Sequence, residues 1–226
     1  MQKAVATHFP LALAAVIAVA VVAGCGKQLD PAPEHAASAV APAPLPAQVQ
    51  PSDAAAQQAK QQAIEFAQAE QTIADDPQGQ WAASAQASSA YNAAQDRMGY
   101  AAWQATGAPN VLRYGDDGNA WAPQEPGGGS EWLLLAFARP VHATELRIRQ
   151  NNAPGAIVKI ELIDDQNAAH SVFEGRDASS HPAGRIVWFK RSFEKTAYLV
   201  TAAKITFATN AVPGPTEIDA VQLIGE

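Results

Sequence analysis

Thr144-Glu145-Leu146-Arg147-Ile148-Arg149 places an apolar side chain at every second position. A stretch with a period of two can bury one face only as a β-strand. Val158-Lys159-Ile160-Glu161-Leu162 repeats the pattern. Both predict half-buried antiparallel strands, with apolar residues facing inward and charges facing solvent. Glu131-Trp132-Leu133-Leu134-Leu135-Ala136-Phe137 is more continuously apolar, as a strand covered on both faces would be. Further strands are predicted at 171–174, 185–189, 204–208 and 218–224. Pro126-Gly127-Gly128-Gly129, Asn152-Ala153-Pro154-Gly155 and Pro213-Gly214-Pro215 punctuate the gaps. Many short strands separated by such turns predict an all-β sandwich.

The strand patterns are confined to the part of the chain that begins near Trp81, because residues 26–80 hold a single aromatic, Phe66. Residues 81–226 are an ordinary length for one domain with one core. Residues 25–51 are rich in Ala, Pro and Gln and lack the large apolar side chains a core needs, so they are expected to be a disordered, extended tether. Residues 52–76 are a run of strong helix formers with Ser52 or Asp53 as cap, closed by Asp75-Asp76-Pro77. Ile64, Phe66 and Ile73 do not line up in one continuous stripe. The expectation is an α-helical stalk, solvated or loosely docked, that contributes nothing to the core.

The N-terminus combines Lys3 with an apolar run from Leu11 to Val22 that is short for a membrane span. It ends at Val22-Ala23-Gly24-Cys25, which resembles the lipobox of bacterial lipoproteins. That resemblance implies removal of the signal peptide 1–24 and attachment of diacylglycerol and palmitate at Cys25. With Gly26 in the next position it also implies sorting to the outer membrane, with the membrane as partner through the N-terminal lipid. Cys25 is the sole cysteine, so no disulfide within the chain supports the fold. A formal net charge of −7 argues against a general nucleic-acid binder.

Taken in order, the motifs of 81–226 resemble the discoidin or coagulation-factor C-type domains of the galactose-binding-like jelly rolls. The resemblance is carried by Ala87-Ser88-Ser89-Ala90-Tyr91 as the opening strand, then Trp103 to Val111, Tyr114-Gly115-Asp116 and Asn119 to Pro123. It continues through Glu131-Trp132-Leu133 with Arg139-Pro140-Val141, the loop Asn152 to Ala156, and the closing strand Glu217 to Gly225. It implies a discoidin-like jelly-roll β-sandwich. The terminal cysteine pair of the eukaryotic members is missing, and no sugar-contacting set is recognisable. In related jelly rolls a structural calcium lies where an early loop meets a Glu that opens the final strand. Asn110, Asp116 and Glu217 occupy those stretches as candidate Ca2+ ligands; the other reading of Asp116-Asp117-Gly118-Asn119 is a capped turn.

Catalytic motifs are sparse. The histidines at 8, 35, 142, 170 and 181 do not fall at metal-ligand spacing, and there is neither a Gly-x-Ser-x-Gly elbow nor a phosphate loop. Asp177, Ser179, Ser180 and His181 share one loop, where neighbours in sequence rarely hold triad geometry; the cluster reads as polar loop composition rather than a hydrolase. Trp103, Trp121, Trp132 and Trp188 read as packing residues. Lys190, Arg191 and Lys195 beside Glu194 read as a solvated hairpin. Loops at one end of a sandwich usually carry recognition, which makes Tyr114, Asp117, Asn152, Arg176 and His181 the ligand-binding candidates. The expected function is a non-catalytic, membrane-anchored module for a glycan or another envelope component. A protein-interaction or structural lipoprotein that holds a partner is the alternative.

Overall fold

The computed structural model describes residues 52–91 and 99–226. Cys25 and the tether lie outside the described residues. One helix, α1 (Asp53–Ala74), precedes eight strands: β1 (Gly79–Ala87), β2 (Ser130–Val141), β3 (Ala143–Asn152), β4 (Ile157–Asp164), β5 (Ala169–Glu174), β6 (Val187–Ser192), β7 (Val200–Ala208) and β8 (Glu217–Gly225). All strand pairs are antiparallel, in the order β5-β4-β7-β2-β1-β8-β3-β6. β1 joins the two layers: Gly79 to Trp81 pair with β8, and Ala82 to Ala87 pair with β2, with a shift in register between Ala82 and Ser84. The inward residues of both layers form one core around Leu133, Leu135, Leu146, Ile148, Ile160, Ile205, Phe207 and Leu223, with Trp121 fully buried among them. This is a discoidin-like jelly-roll sandwich.

Several local expectations change. Of the segment Ala87 to Tyr91 only Ala87 belongs to the first strand, which runs from Gly79 and ends there; Ser88 to Tyr91 follow it. β2 alternates: Leu133, Leu135 and Phe137 are buried while Trp132 and Leu134 are partly open, and Lys204 lies 5.3 Å from the Trp132 ring. The strand covered on both faces is β8, every residue of which is buried. Trp103 is no packing residue, since it is 50% exposed.

The outer cover of β8 is α1. Ser52 caps the helix by accepting the Ala55 N–H, and its sandwich-facing side runs Gln62, Phe66, Glu70, Ile73 at helical spacing. Ile73 is buried, and Phe66 packs on a satellite cluster of Val111, Ala120 and Ile186. Glu70 pairs with Arg149 at 2.9 Å and accepts the Trp188 indole N–H, Asp76 pairs with Arg147 at 2.9 Å, and Gln222 donates to the Ile73 carbonyl. The two arginines of β3 therefore face α1 and the turn that follows it instead of solvent. Of the two arrangements expected for the helix, solvated or loosely docked, the structure has it docked, with Ile73 buried. Among the described residues no helix is long and apolar enough to cross a membrane.

Candidate functional site

Successive strands run in opposite directions, so alternate connections lie at opposite ends of the sandwich. One end has only His142, residues 165–168 and residues 193–199 between strands. The other collects 88–91, 99–129, 153–156, 175–186 and 209–216. The longest of these is pinned at its root: Trp121 exchanges backbone hydrogen bonds with Ile218, and its indole N–H donates to the Ser89 carbonyl. Asp219 accepts the backbone N–H groups of Asn110 and Val111 and pairs with the buried Arg149, which also donates to the Val111 carbonyl. Burial pushes the Asp219 carboxyl upward, and these donors and the Arg149 charge oppose that shift.

Three of the loops enclose a cavity of about 620 Å³, walled by Pro154 and Gly155, by Arg176, Asp177 and His181, and by Asn210 to Val212. Asp177 Oδ1 accepts the Ser179 N–H at 2.9 Å. Its Oδ2 is buried 3.2 Å from His181 Nε2, an approach that does not meet hydrogen-bond geometry. Both imidazole nitrogens and that carboxylate oxygen thus lack hydrogen-bond partners in the protein. Buried polar atoms are normally satisfied, and an orphan costs roughly 1–3 kcal/mol. The backbone makes the close approach possible at Gly155, whose φ is +104° and where a Cβ would sit 3.3 Å from the ring of His181. The donors of Arg176, the amide of Asn210 and the unpaired Asp177 and His181 atoms offer a polyhydroxylated ligand both donors and acceptors.

A second concavity of about 220 Å³ is lined by Tyr91, Tyr100, Asp116, Pro123, Pro215 and Glu217, among others. Glu217 opens β8 and is fully buried; it accepts the Asp117 N–H at 3.1 Å and the side-chain amides of Asn151 and Asn152. Burial pushes its carboxyl up to about 7; the three N–H donors pull the other way, and a hydrogen bond with Asp116 adds to the rise. The Tyr100 hydroxyl donates to Asp116 at 2.7 Å, and that bond, with burial, pushes the phenol up to about 12.

The site residues expected from the sequence fall into separate places. Arg176 and His181 share the large cavity. Asp116 and Glu217 meet in the smaller one, whereas the Asn110 backbone is engaged by Asp219. As a calcium shell this set fits poorly: calcium takes six to eight oxygens, the Glu217 oxygens are occupied by N–H donors, and no group of three His, Cys, Asp or Glu able to hold a metal occurs among the described residues. The Asp117 carboxylate accepts from Asn119 and closes its own turn, and Asn152 is spent on Glu217 and on the Ala153 N–H. Tyr114 lines a groove of about 190 Å³ against α1 with Phe66 and Leu112. Arg191 donates to the Val172 carbonyl and Lys195 pairs with Glu226, so two of the three basic residues are engaged internally. Gly155, Asn210, Tyr91 and Tyr100 were not singled out by sequence. The proline before Gly155 and the positive φ that Gly permits were the available signal for the first, and the other three carried none.

No curated protein matches the chain. Among solved structures it is similar to chitosan-binding module 1 of a chitosanase/glucanase from Paenibacillus sp. IK-5, at 15% identity over 63% of this chain and 94% of that one, with a TM-score of 0.46. The family 32 carbohydrate-binding module of C. perfringens NanJ, solved with galactose, gives 14% identity over 64% and 98%, with a TM-score of 0.45. Reduced XRCC1 bound to the DNA pol beta catalytic domain gives 12% over 62% and 93%, with a TM-score of 0.44. The family model described as Pappalysin-1, SD scarf domain, C-terminal, matches residues 70–226, from Glu70 in the docked helix to the last residue of the chain. The chain belongs to the family of the pappalysin-1 C-terminal SD scarf domain.

Proposed function

We propose that this protein is a non-catalytic carbohydrate-binding module, held at a membrane by a lipid on Cys25, that recognises a glycan through the cavity of Arg176, Asp177, His181 and Asn210. One observation carries the reading: a roomy cavity at the loop-rich end is lined by a buried carboxylate oxygen and two imidazole nitrogens that have no hydrogen-bond partners in the protein. Vicinal hydroxyls, each both donor and acceptor, satisfy such a mixed set, and the loops that hold it are fixed by a rigid sandwich. Pro154, Ala211 and Val212 supply the apolar wall against which the C–H face of a sugar ring rests.

Glycan-array binding of the full chain, followed by calorimetric titration with the neutral hexoses that score, tests this. Arg176→Ala and His181→Ala are each expected to weaken binding at least tenfold, the loss of about 1.4 kcal/mol expected for one charge-assisted or buried hydrogen bond. Titrations indistinguishable between wild type and both variants would reject the site. The protein-partner alternative has one observation in its favour, Leu112, which is 88% exposed between two grooves along α1. Leu112→Ser would abolish capture of such a partner and leave the hexose titrations unchanged.

A further inference from the structure

The smaller concavity is walled by two tyrosines. Tyr91 is 54% exposed, and its ring meets Tyr100 edge to face with centroids 5.2 Å apart and planes at 74°. Two rings at such an angle form a corner that presents an aromatic face to anything between them. Pro123, Pro126 and Pro215 complete an apolar collar, and the carboxyl groups of Asp116 and Glu217 lie among the lining groups. Aromatic faces attract a cation through the ring quadrupole, and carboxylates attract it by charge and accept its N–H groups. No Lys, Arg or His lines the concavity among the described residues.

From this combination we infer that the Tyr91–Tyr100 concavity is a second ligand site, which takes a primary ammonium group carried on a saturated carbon. The ammonium has three N–H donors. Asp116 accepts from the Tyr100 hydroxyl and shares a hydrogen bond with Glu217, and the two oxygens of a carboxylate, with about four lone-pair sites, keep acceptor capacity beyond these. The alkyl carbon behind the nitrogen lies against the tyrosine and proline rings. A calcium ion would need an oxygen shell that the N–H donors on Glu217 interrupt, and it would gain nothing from the apolar collar. An amino sugar and a polyamine share the ammonium chemistry and differ in the carbon skeleton that carries it. The inference uses none of the residues of the glycan reading, so either can fail alone.

Calorimetric titration of the full chain with glucosamine, putrescine, N-acetylglucosamine and calcium chloride tests the inference. Glucosamine, putrescine or both are expected to bind, and which of them does so identifies the source of the amine; N-acetylglucosamine, whose nitrogen is uncharged, is expected to bind at least tenfold more weakly than glucosamine. Asp116→Asn is expected to lower amine affinity about tenfold and Tyr91→Ala about fivefold, while Lys190→Ala, at an exposed position that lines neither cavity, leaves it unchanged. Tyr91 is exposed, so its variant keeps the test valid if Asp116→Asn does not fold. Three results would overturn the site: equal binding of the acetylated and free amino sugars, amine binding that neither variant weakens, and calcium binding that depends on Asp116 without any amine binding.

Discussion

Each end of the sandwich has an aspartate facing a histidine, and the two pairs differ. At the tight end Asp164 Oδ1 accepts the Gln166 and Ala168 N–H groups at 2.9 and 2.8 Å, and Oδ2 lies 2.8 Å from His170 Nε2. His170 in turn stacks on Tyr198, with centroids 3.8 Å apart. Every lone pair the turn needs is used. At the loop-rich end Asp177 and His181 are 3.2 Å apart and leave three polar atoms unpartnered. One pair closes a hairpin and the other is left open. Fold stability does not call for an open buried pair, and this contrast is the ground on which the proposed recognition is assigned to the loop-rich end.

The largest stability effect expected lies at the root of the loop-rich end, where the chain is as fully satisfied as at the tight end. Asp219→Ala leaves the Arg149 guanidinium with Glu70 and the Val111 carbonyl as partners and frees the backbone N–H groups of Asn110 and Val111. Loss of the buried carboxylate with its ion pair and two backbone bonds is expected to cost about 3 kcal/mol, the low end for a broken buried pair because Glu70 remains, to be read from denaturant unfolding. A cost near zero would mean that the long loop is not pinned there. Next comes the helix: Ile73→Ala is expected to cost about 2 kcal/mol, the low end for a buried Ile because it sits at the helix boundary. An unchanged midpoint would mean that the helix is solvated rather than docked.

At the tight end Asp164→Asn is expected to lower the melting midpoint by several degrees without changing any ligand titration. The hydrogen bond from His170, and then those from the backbone, hold the Asp164 carboxyl below its ordinary value. Its contribution is therefore complete above the unfolded-state value and is lost as pH falls through the lower folded value. Acid unfolding of the Asn variant should show a shallower pH dependence in that window, and curves parallel to wild type would contradict the pair. The smallest stability effect belongs to His181→Ala, within about 0.5 kcal/mol of wild type, because the side chain it removes makes no hydrogen bond in the protein.

Much of this was legible in the residues. The period-two runs at Thr144 and Val158 lie within β3 and β4, because a half-buried strand must alternate. The helix was visible from its cap and from Pro77. Its docking was not, since the docked stripe is built from Gln62 and Glu70 as much as from Phe66 and Ile73, and a carboxylate reads as solvent-facing until Arg149 is placed beneath it. For the same reason β8 hid its double burial behind Glu217, Asp219 and Gln222. Arg176 and His181 were recognisable as loop residues at one end. Asp177 entered only as a member of a dismissed catalytic cluster, and the partners it lacks are visible only in three dimensions.

The most direct test of the open pair is a nitrogen-15 NMR titration of the histidine rings with the hexose that binds best. Selective loss of freedom at one histidine is the expected outcome: the His181 Nδ1 and Nε2 resonances move with saturation while those of His170, already partnered by Asp164, stay in place. Movement of both rings together, or of neither while the sugar binds, would contradict the assignment of recognition to the Asp177–His181 cavity.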